Sequence, residues 1–262
     1  MADFYLDSLS LREEMPRLAN QSRLIYLGLA EFLNRNSKFI KPNASILDLG
    51  CGPGILTALI AKNFPKSKVT GVDRCTDMVK FAQVSHPNME WIQCESGKIP
   101  FPDQTFQVIQ HSYFLIHVPE LDSIFSEIHR LLAPQGLILI IEPNPSKNTV
   151  DPKIQTLMKN YADLHKLRED SIEKAEDFYS KKNYSLLASE DLFLSATGSD
   201  DGPVLEYPRI KIGRMSAWSL LSHMGQLINL RDVYGECLEL YMGKKCNIQE
   251  LCISVRLYQK NS

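Results

Sequence analysis

The chain has 262 residues, 44% hydrophobic and 23% charged, and its 29 Lys and Arg against 31 Asp and Glu leave a formal charge of −2. This is the balance of a globular chain, one large α/β domain or a core with an attached cap, and it carries no basic excess that would indicate a nucleic-acid binder. No apolar run approaches the roughly 20 residues of a membrane span.

Six cysteines (Cys51, Cys75, Cys94, Cys237, Cys246, Cys252) are scattered without CxxC pairs or metal-like His spacing, so reduced thiols are expected and no metal. The segment MADFYLDSLSLREEMPRL has early acids and no long apolar region, so no signal peptide is expected and a cytoplasmic location follows.

In chain order, NQSRLIYLGLAEFLNRNS (about 19–36) has helical spacing and ends in Asn and Ser. SILDLG is the first strand, Ile55 to Ala61 a helix, and KVTGVD (68–73) the second strand. TDMVKFAQVS follows as a helix with Thr76 or Asp77 at its start, and Met78, Phe81 and Ala82 share a face. MEWIQC and FQVIQHSY are strands three and four; LDSIFSEIHRLLAPQG is a helix ended by Pro134 and Gly136; LILIIEP is an apolar fifth strand. This alternation predicts right-handed βαβ units and a parallel sheet.

Past Pro145 the rhythm changes. Residues 150–182 read as helical, with Ile154, Leu157, Met158, Tyr161 and Leu164 on one stripe. GSDDGP is a polar turn, and VLEYPRIKI has strand character but contains Pro208, so it belongs at an edge or is irregular. MSAWSLLSHMGQLIN and DVYGECLELYM read as helices. The final ELCISVRLY alternates Leu251, Ile253, Val255 and Leu257 with polar partners, as a last strand would. The expected organisation is one domain: a helical N-terminal segment (1–40), a core (41–143) and a cap with C-terminal strands (144–262).

The informative stretch is ILDLGCGPGILTALIA (46–61), where a buried strand stops at Asp48 and Gly50, Gly52 and Gly54 follow two apart. Three glycines in five residues mark a backbone that turns sharply or is approached closely. A strand, a glycine loop and a helix form the crevice in which open α/β sheets bind nucleotides. A dinucleotide fingerprint needs a third glycine in the region that Leu56 and Thr57 occupy, and Pro53 fixes φ within the loop. The pattern is DxGxGxG.

In four ordered blocks over about residues 40–143, the chain resembles class I S-adenosylmethionine-dependent methyltransferases of the small-molecule type. The blocks are ILDLGCGPG, VTGVDRCTDMVKFA, ESGKIPFPDQTFQVI and EIHRLLAPQGLILIIEP. The resemblance implies a Rossmann-like, mostly parallel sheet with a C-terminal antiparallel strand and a helical cap inserted after strand five. It implies S-adenosyl-L-methionine as cofactor, held at Asp48, Gly50, Gly52, Gly54, Asp73, Arg74, Met78, Glu95, Ser96, Gln110 and His111.

Within that set Asp73, about 20 residues past the glycine loop, is placed to accept both ribose hydroxyls, a use that competes with capping the next helix. Asp48 would face the cationic methionine end. Glu95 and the Ser96 backbone would address adenine, Met78 would pack on it or belong to the core, and the backbone carbonyls of Gln110 and His111 would take the methionine ammonium. Gln107, Gly97 and Gln135 depart from the family's usual Asp, acid and Gly.

Methyl transfer from a sulfonium needs mainly an oriented acceptor, and a base only where the acceptor carries a proton. His111 is the candidate catalytic residue; Tyr113 and His117 lie near the same strand end. The acceptor, a small molecule, would meet Phe4, Tyr5 and Gln21 and the excursion 144–228, where Arg209, Arg214 and Trp218 stand in RIKIGRMSAW. An arginine there could hold a carboxylate. The alternatives are a catalytically silent S-adenosylmethionine-binding protein and a methyltransferase acting on protein or RNA. An amino-methylating nucleic-acid enzyme would carry (D/N)PP(F/Y/W) after strand four, where this chain reads HSYF.

Overall fold

A computed structural model describes residues 11–196, 202–221, 224, 235–237 and 249–262. The chain divides into two units. One comprises residues 29–143, 170–191 and 254–262, the other 1–28, 144–169 and 192–253.

The first unit is the α/β core. Its strands are β1 (Ser45–Leu49), β2 (Lys68–Asp73), β3 (Glu90–Gln93), β4 (Phe106–Ser112) and β5 (Leu132–Pro143), joined by the first half of β6 (Tyr184–Ala196) and the second half of β9 (Gln249–Lys260). The order is β3-β2-β1-β4-β5-β9-β6, with β1, β2, β3, β4 and β5 paired in parallel. Four of the five β1 residues are buried, because a central parallel strand is covered on both faces. Helices α2 (Ile55–Ala61), α3 (Thr76–Ser85), α4 (Leu121–Leu131) and α6 (Ser171–Lys181) complete the unit. The chain runs outward from β1 to β3 in one direction and from β4 in the other. Such a reversal opens a crevice at the strands' carboxyl ends, here between β1 and β4.

Three features of this unit differ from those read in the sequence. Helix α4 ends at Leu131, and Leu132 is already extended, with φ −78° and ψ 125°. The steric demand of Pro134 on Ala133 disfavours helix there, so LAPQG joins β5. Gln135, in the place of a glycine, takes φ 60°. Strand β6, unread because its run is interrupted by Ser185, Ser189, Glu190 and Asp191, is the second difference. The third concerns β9, where the polar Ser254 and Arg256 do not face outward. Ser254 and Arg256 are 0% and 6% exposed, and Arg256 is held by Glu176 Oε1 at 2.5 Å and Asp191 Oδ1 at 3.0 Å.

In the second unit, α5 (Pro152–His165) starts at Asp151, whose Oδ1 accepts the Lys153 N–H at 2.9 Å. Its buried stripe is Ile154, Leu157, Tyr161 and His165, while Leu164 is exposed. β7 (Val204–Glu206) and β8 (Arg209–Ile212) pair antiparallel, and β8 runs parallel to residues 193–196 of β6. Pro208, in a cis peptide, lies between the two strands, so it costs neither a ladder bond. Helix α7 spans Arg214–Leu221. Apart from Met224, the rest of MSAWSLLSHMGQLIN lies outside the described residues, as does most of DVYGECLELYM.

Segment 144–228 is therefore divided: residues 170–191 belong to the core unit and the remainder to the other. Helix α1 (Leu11–Asn36) starts earlier than its periodicity suggests and contains Pro16. The sheet is mostly parallel with an antiparallel part towards the C-terminus, as expected. No helix among the described residues is long and apolar enough to cross a membrane.

Candidate functional site

The chemistry-bearing residues gather where β1, β2 and β4 end. Gly50, Gly52 and Gly54 all adopt left-handed backbone, with φ of 74°, 50° and 74°. The Gly50 and Cys51 N–H groups both donate to Val72 O, at 2.9 and 3.0 Å, which binds the loop across the end of β2. A Cβ at Gly50 would stand 2.4 Å from the Phe114 ring and one at Gly54 2.5 Å from Trp91, so these two glycines serve the protein's own packing. Gly52 differs. A Cβ there would meet nothing within 4 Å among the described residues.

Asp73, at the tip of β2, accepts the Gly52 N–H on Oδ2 and the Cys75 N–H on Oδ1, both at 2.8 Å. The second bond forms the turn into α3, whose first helical residue is Thr76. An ionised carboxylate has about four acceptor positions, so the turn and a pair of ribose hydroxyls are not exclusive demands on it.

Asp48 sits beneath the loop at 3% exposure and accepts the hydroxyl of the buried Thr57. Burial pushes its pKa up to about 6, against the lowering influence of Thr57, Gln110 and His111. Gln110 is 1% exposed, and its Nε2 has no well-formed hydrogen bond among the described residues. Cys51 is buried beside the Val79, Ala82 and Trp91 side chains, and burial raises its thiol well above the usual range, which removes it as a nucleophile.

His111 is fully buried, with Nδ1 2.9 Å from Glu142 Oε1, while Nε2 has no partner among the described residues. The same Glu142 oxygen accepts the Phe114 and Leu115 N–H groups, each at 3.0 Å. Glu142, at the end of β5, was not singled out in the sequence; an acid closing the otherwise apolar run LILIIEP was the available signal.

Past β3, Glu95 is exposed and Ser96 half-buried. Their loop is anchored to α4: Ile99 N–H donates to Glu127 Oε1 at 2.8 Å, and Arg130 donates to the carbonyls of Ile99 and Phe101 at 3.1 and 2.8 Å. Arg74 is exposed, its carbonyl accepting from Gln93, and Met78 is 4% exposed. Tyr113 takes φ 51° and His117 lies half-buried in the short turn after it.

In the other unit Arg209 is already paired with Glu250 at 3.0 Å and lies 5.3 Å from the Phe193 ring centroid; Trp218 is buried. Arg214 opens α7. Gln21 accepts from Arg17 at 2.6 Å, and Phe4 and Tyr5 lie outside the described residues.

The crevice suits S-adenosylmethionine on three grounds: open space beside a left-handed Gly52, a carboxylate at the β2 tip, and an enclosed carboxylate and amide at the ends of β1 and β4.

Residues 46–136 match a family model described as a methyltransferase domain. The chain is 32% identical over 113 residues to a ubiquinone/menaquinone biosynthesis C-methyltransferase of Desulfotalea psychrophila, covering 42% of this chain and 46% of that one. It thus spans about half the length of the curated relatives it matches. Among solved structures, the YcgJ protein of Bacillus subtilis superposes with a TM-score of 0.61 at 16% identity, over 90% of this chain and 98% of that one. The geranyl diphosphate C-methyltransferase of Streptomyces coelicolor, solved with S-adenosyl-L-homocysteine, gives 0.54 at 17% identity, over 87% and 74%. The last two show the fold.

Proposed function

We propose that this chain, whose core is a class I S-adenosylmethionine-dependent methyltransferase domain, transfers a methyl group to a small-molecule acceptor. The observation that carries the reading is the Asp73 carboxylate bonded to the N–H of a Gly52 whose open side faces no protein group among the described residues.

When bound, S-adenosyl-L-methionine supplies an electrophilic methyl group on a sulfonium. In this reading Asp73 accepts the ribose hydroxyls, Glu95 and the Ser96 backbone address the adenine, and the exposed Arg74 and buried Met78 border it. Gly50, Gly52 and Gly54 shape the loop, while Asp48 supplies negative charge near the methionine end. Its carboxyl, pushed up to about 6 by burial, is nearer to full ionisation once a cation is added beside it. Gln110 and His111 close the crevice from β4.

His111 is the residue proposed to take a proton from the acceptor. A Nδ1–H donated to Glu142 leaves Nε2 with a lone pair, the tautomer a base requires. Nε2 is enclosed, so proton transfer to it needs a bridging water or a parting of the side chains around it. The relative from Desulfotalea psychrophila is named as a C-methyltransferase, and carbon acceptors must lose a proton, which supports an acidic carbon or a phenol as the acceptor class.

The test is a panel of phenols, quinols, carbon acids and amines incubated with protein and S-adenosylmethionine, read as S-adenosylhomocysteine produced. Turnover with a protonated carbon or oxygen acceptor supports the reading. Cofactor binding with no turnover on any member contradicts it.

A further inference from the structure

We propose that Glu142 is a positioning residue that couples the end of β4 to the glycine loop through Phe114. This inference rests on the cofactor reading above. One oxygen of Glu142 accepts three donors: His111 Nδ1 at 2.9 Å, and the Phe114 and Leu115 N–H groups at 3.0 Å each. The carboxylate is fully buried, and its other oxygen has no partner among the described residues. A buried acid is costly unless it is well bonded, and here the bonds converge on two backbone N–H groups of a single turn.

That turn begins just after Tyr113, which is held at φ 51°, and it fixes where the Phe114 side chain goes. The Phe114 ring stands so close to Gly50 that a Cβ there would approach it to 2.4 Å. Gly50 in turn donates to Val72 O, one residue before Asp73 on β2. A chain of contact thus runs from Glu142 to the Phe114 backbone, to its ring, to Gly50, and to the strand that carries Asp73. Every link is a hydrogen bond or a side chain in van der Waals contact. Removing Glu142 frees the 114–115 turn and withdraws the ring that braces the loop, so the effect is expected on the binding of a ligand that Glu142 does not touch.

The experiment is a double-mutant cycle read by calorimetric titration with S-adenosylhomocysteine, with circular dichroism on each variant. E142A and F114A are each expected to weaken binding roughly tenfold, and the double variant to be no weaker than the worse single variant within about twofold. E142Q, whose amide oxygen can accept the same three bonds, is expected to restore affinity to within about threefold of the unmodified protein. Folded E142A with unchanged affinity and only a lower melting temperature would show a merely structural role and overturn the proposal. So would multiplicative losses in the double variant. If E142A does not fold, F114A decides alone, and unchanged affinity there overturns the coupling. Failure of the unmodified protein to bind S-adenosylhomocysteine would instead overturn the cofactor reading, and this inference with it.

Discussion

The Asp73 carboxylate accepts the backbone N–H of Gly52 at 2.8 Å, so the tip of β2 and the middle of the glycine loop are one unit. The acid that would hold the ribose also sets the loop beside it. Asp73→Ala removes a charge-assisted acceptor from both roles, which is expected to weaken S-adenosylhomocysteine binding by about 1.5–3 kcal/mol. Calorimetry on the folded variant measures this. Affinity equal to that of the unmodified protein would remove Asp73 from the site.

Gly52→Val tests the loop from the other side. The φ of 50° is hostile to a β-branched residue, and the side chain would enter space the protein leaves open. A stability loss of about 1–2 kcal/mol is expected, with cofactor binding abolished and the circular dichroism spectrum preserved. Normal titration beside a normal spectrum would make this glycine a turn residue only.

Asp48 gives a prediction with a sign. A carboxyl raised to about 6 by burial binds its proton more tightly when folded than when unfolded. It therefore destabilises the fold fully above about pH 6, and not at all below about pH 4, the ordinary value for a free carboxyl. Asp48→Asn should stabilise the cofactor-free protein by up to about 3 kcal/mol at pH 7.5, with the difference vanishing near pH 4. The same variant should bind S-adenosylmethionine more weakly, because the negative charge is gone. Melting temperatures of both proteins across that range check the first part; a variant less stable at pH 7.5 than at pH 4, relative to the unmodified protein, would contradict it.

His111→Gln separates a base from a packing residue. With the acceptor in hand, loss of the imidazole should lower kcat by about 10²–10⁴, leaving S-adenosylhomocysteine affinity within about threefold. A kcat within about threefold of the unmodified protein's would show that His111 only packs.

Much of the core was legible because its signals are local. DxGxGxG, the acid at the β2 tip and the apolar runs of β1, β4 and β5 each depend on neighbours in sequence. Gly50, Gly52 and Gly54 looked alike in sequence, yet two of them make room for Phe114 and Trp91 and one does not, a distinction set by side chains 37 to 64 positions away. Glu142 and the Glu127–Arg130 anchor escaped notice for the same reason: their partners are backbone N–H and carbonyl groups of distant turns. Strand β9 reads as alternating, but pairing of Arg256 with Glu176 and Asp191 lets its polar side be buried too. Strand β6 was hidden because its polar residues imitate a loop.

The most direct test of the central claim is a crystal structure of the protein with S-adenosylhomocysteine. The ligand is expected in the crevice at the ends of β1, β2 and β4, with its ribose hydroxyls on Asp73 and its backbone approach at Gly52. A ligand bound elsewhere, or one in the crevice whose ribose makes no contact with Asp73, would contradict the account.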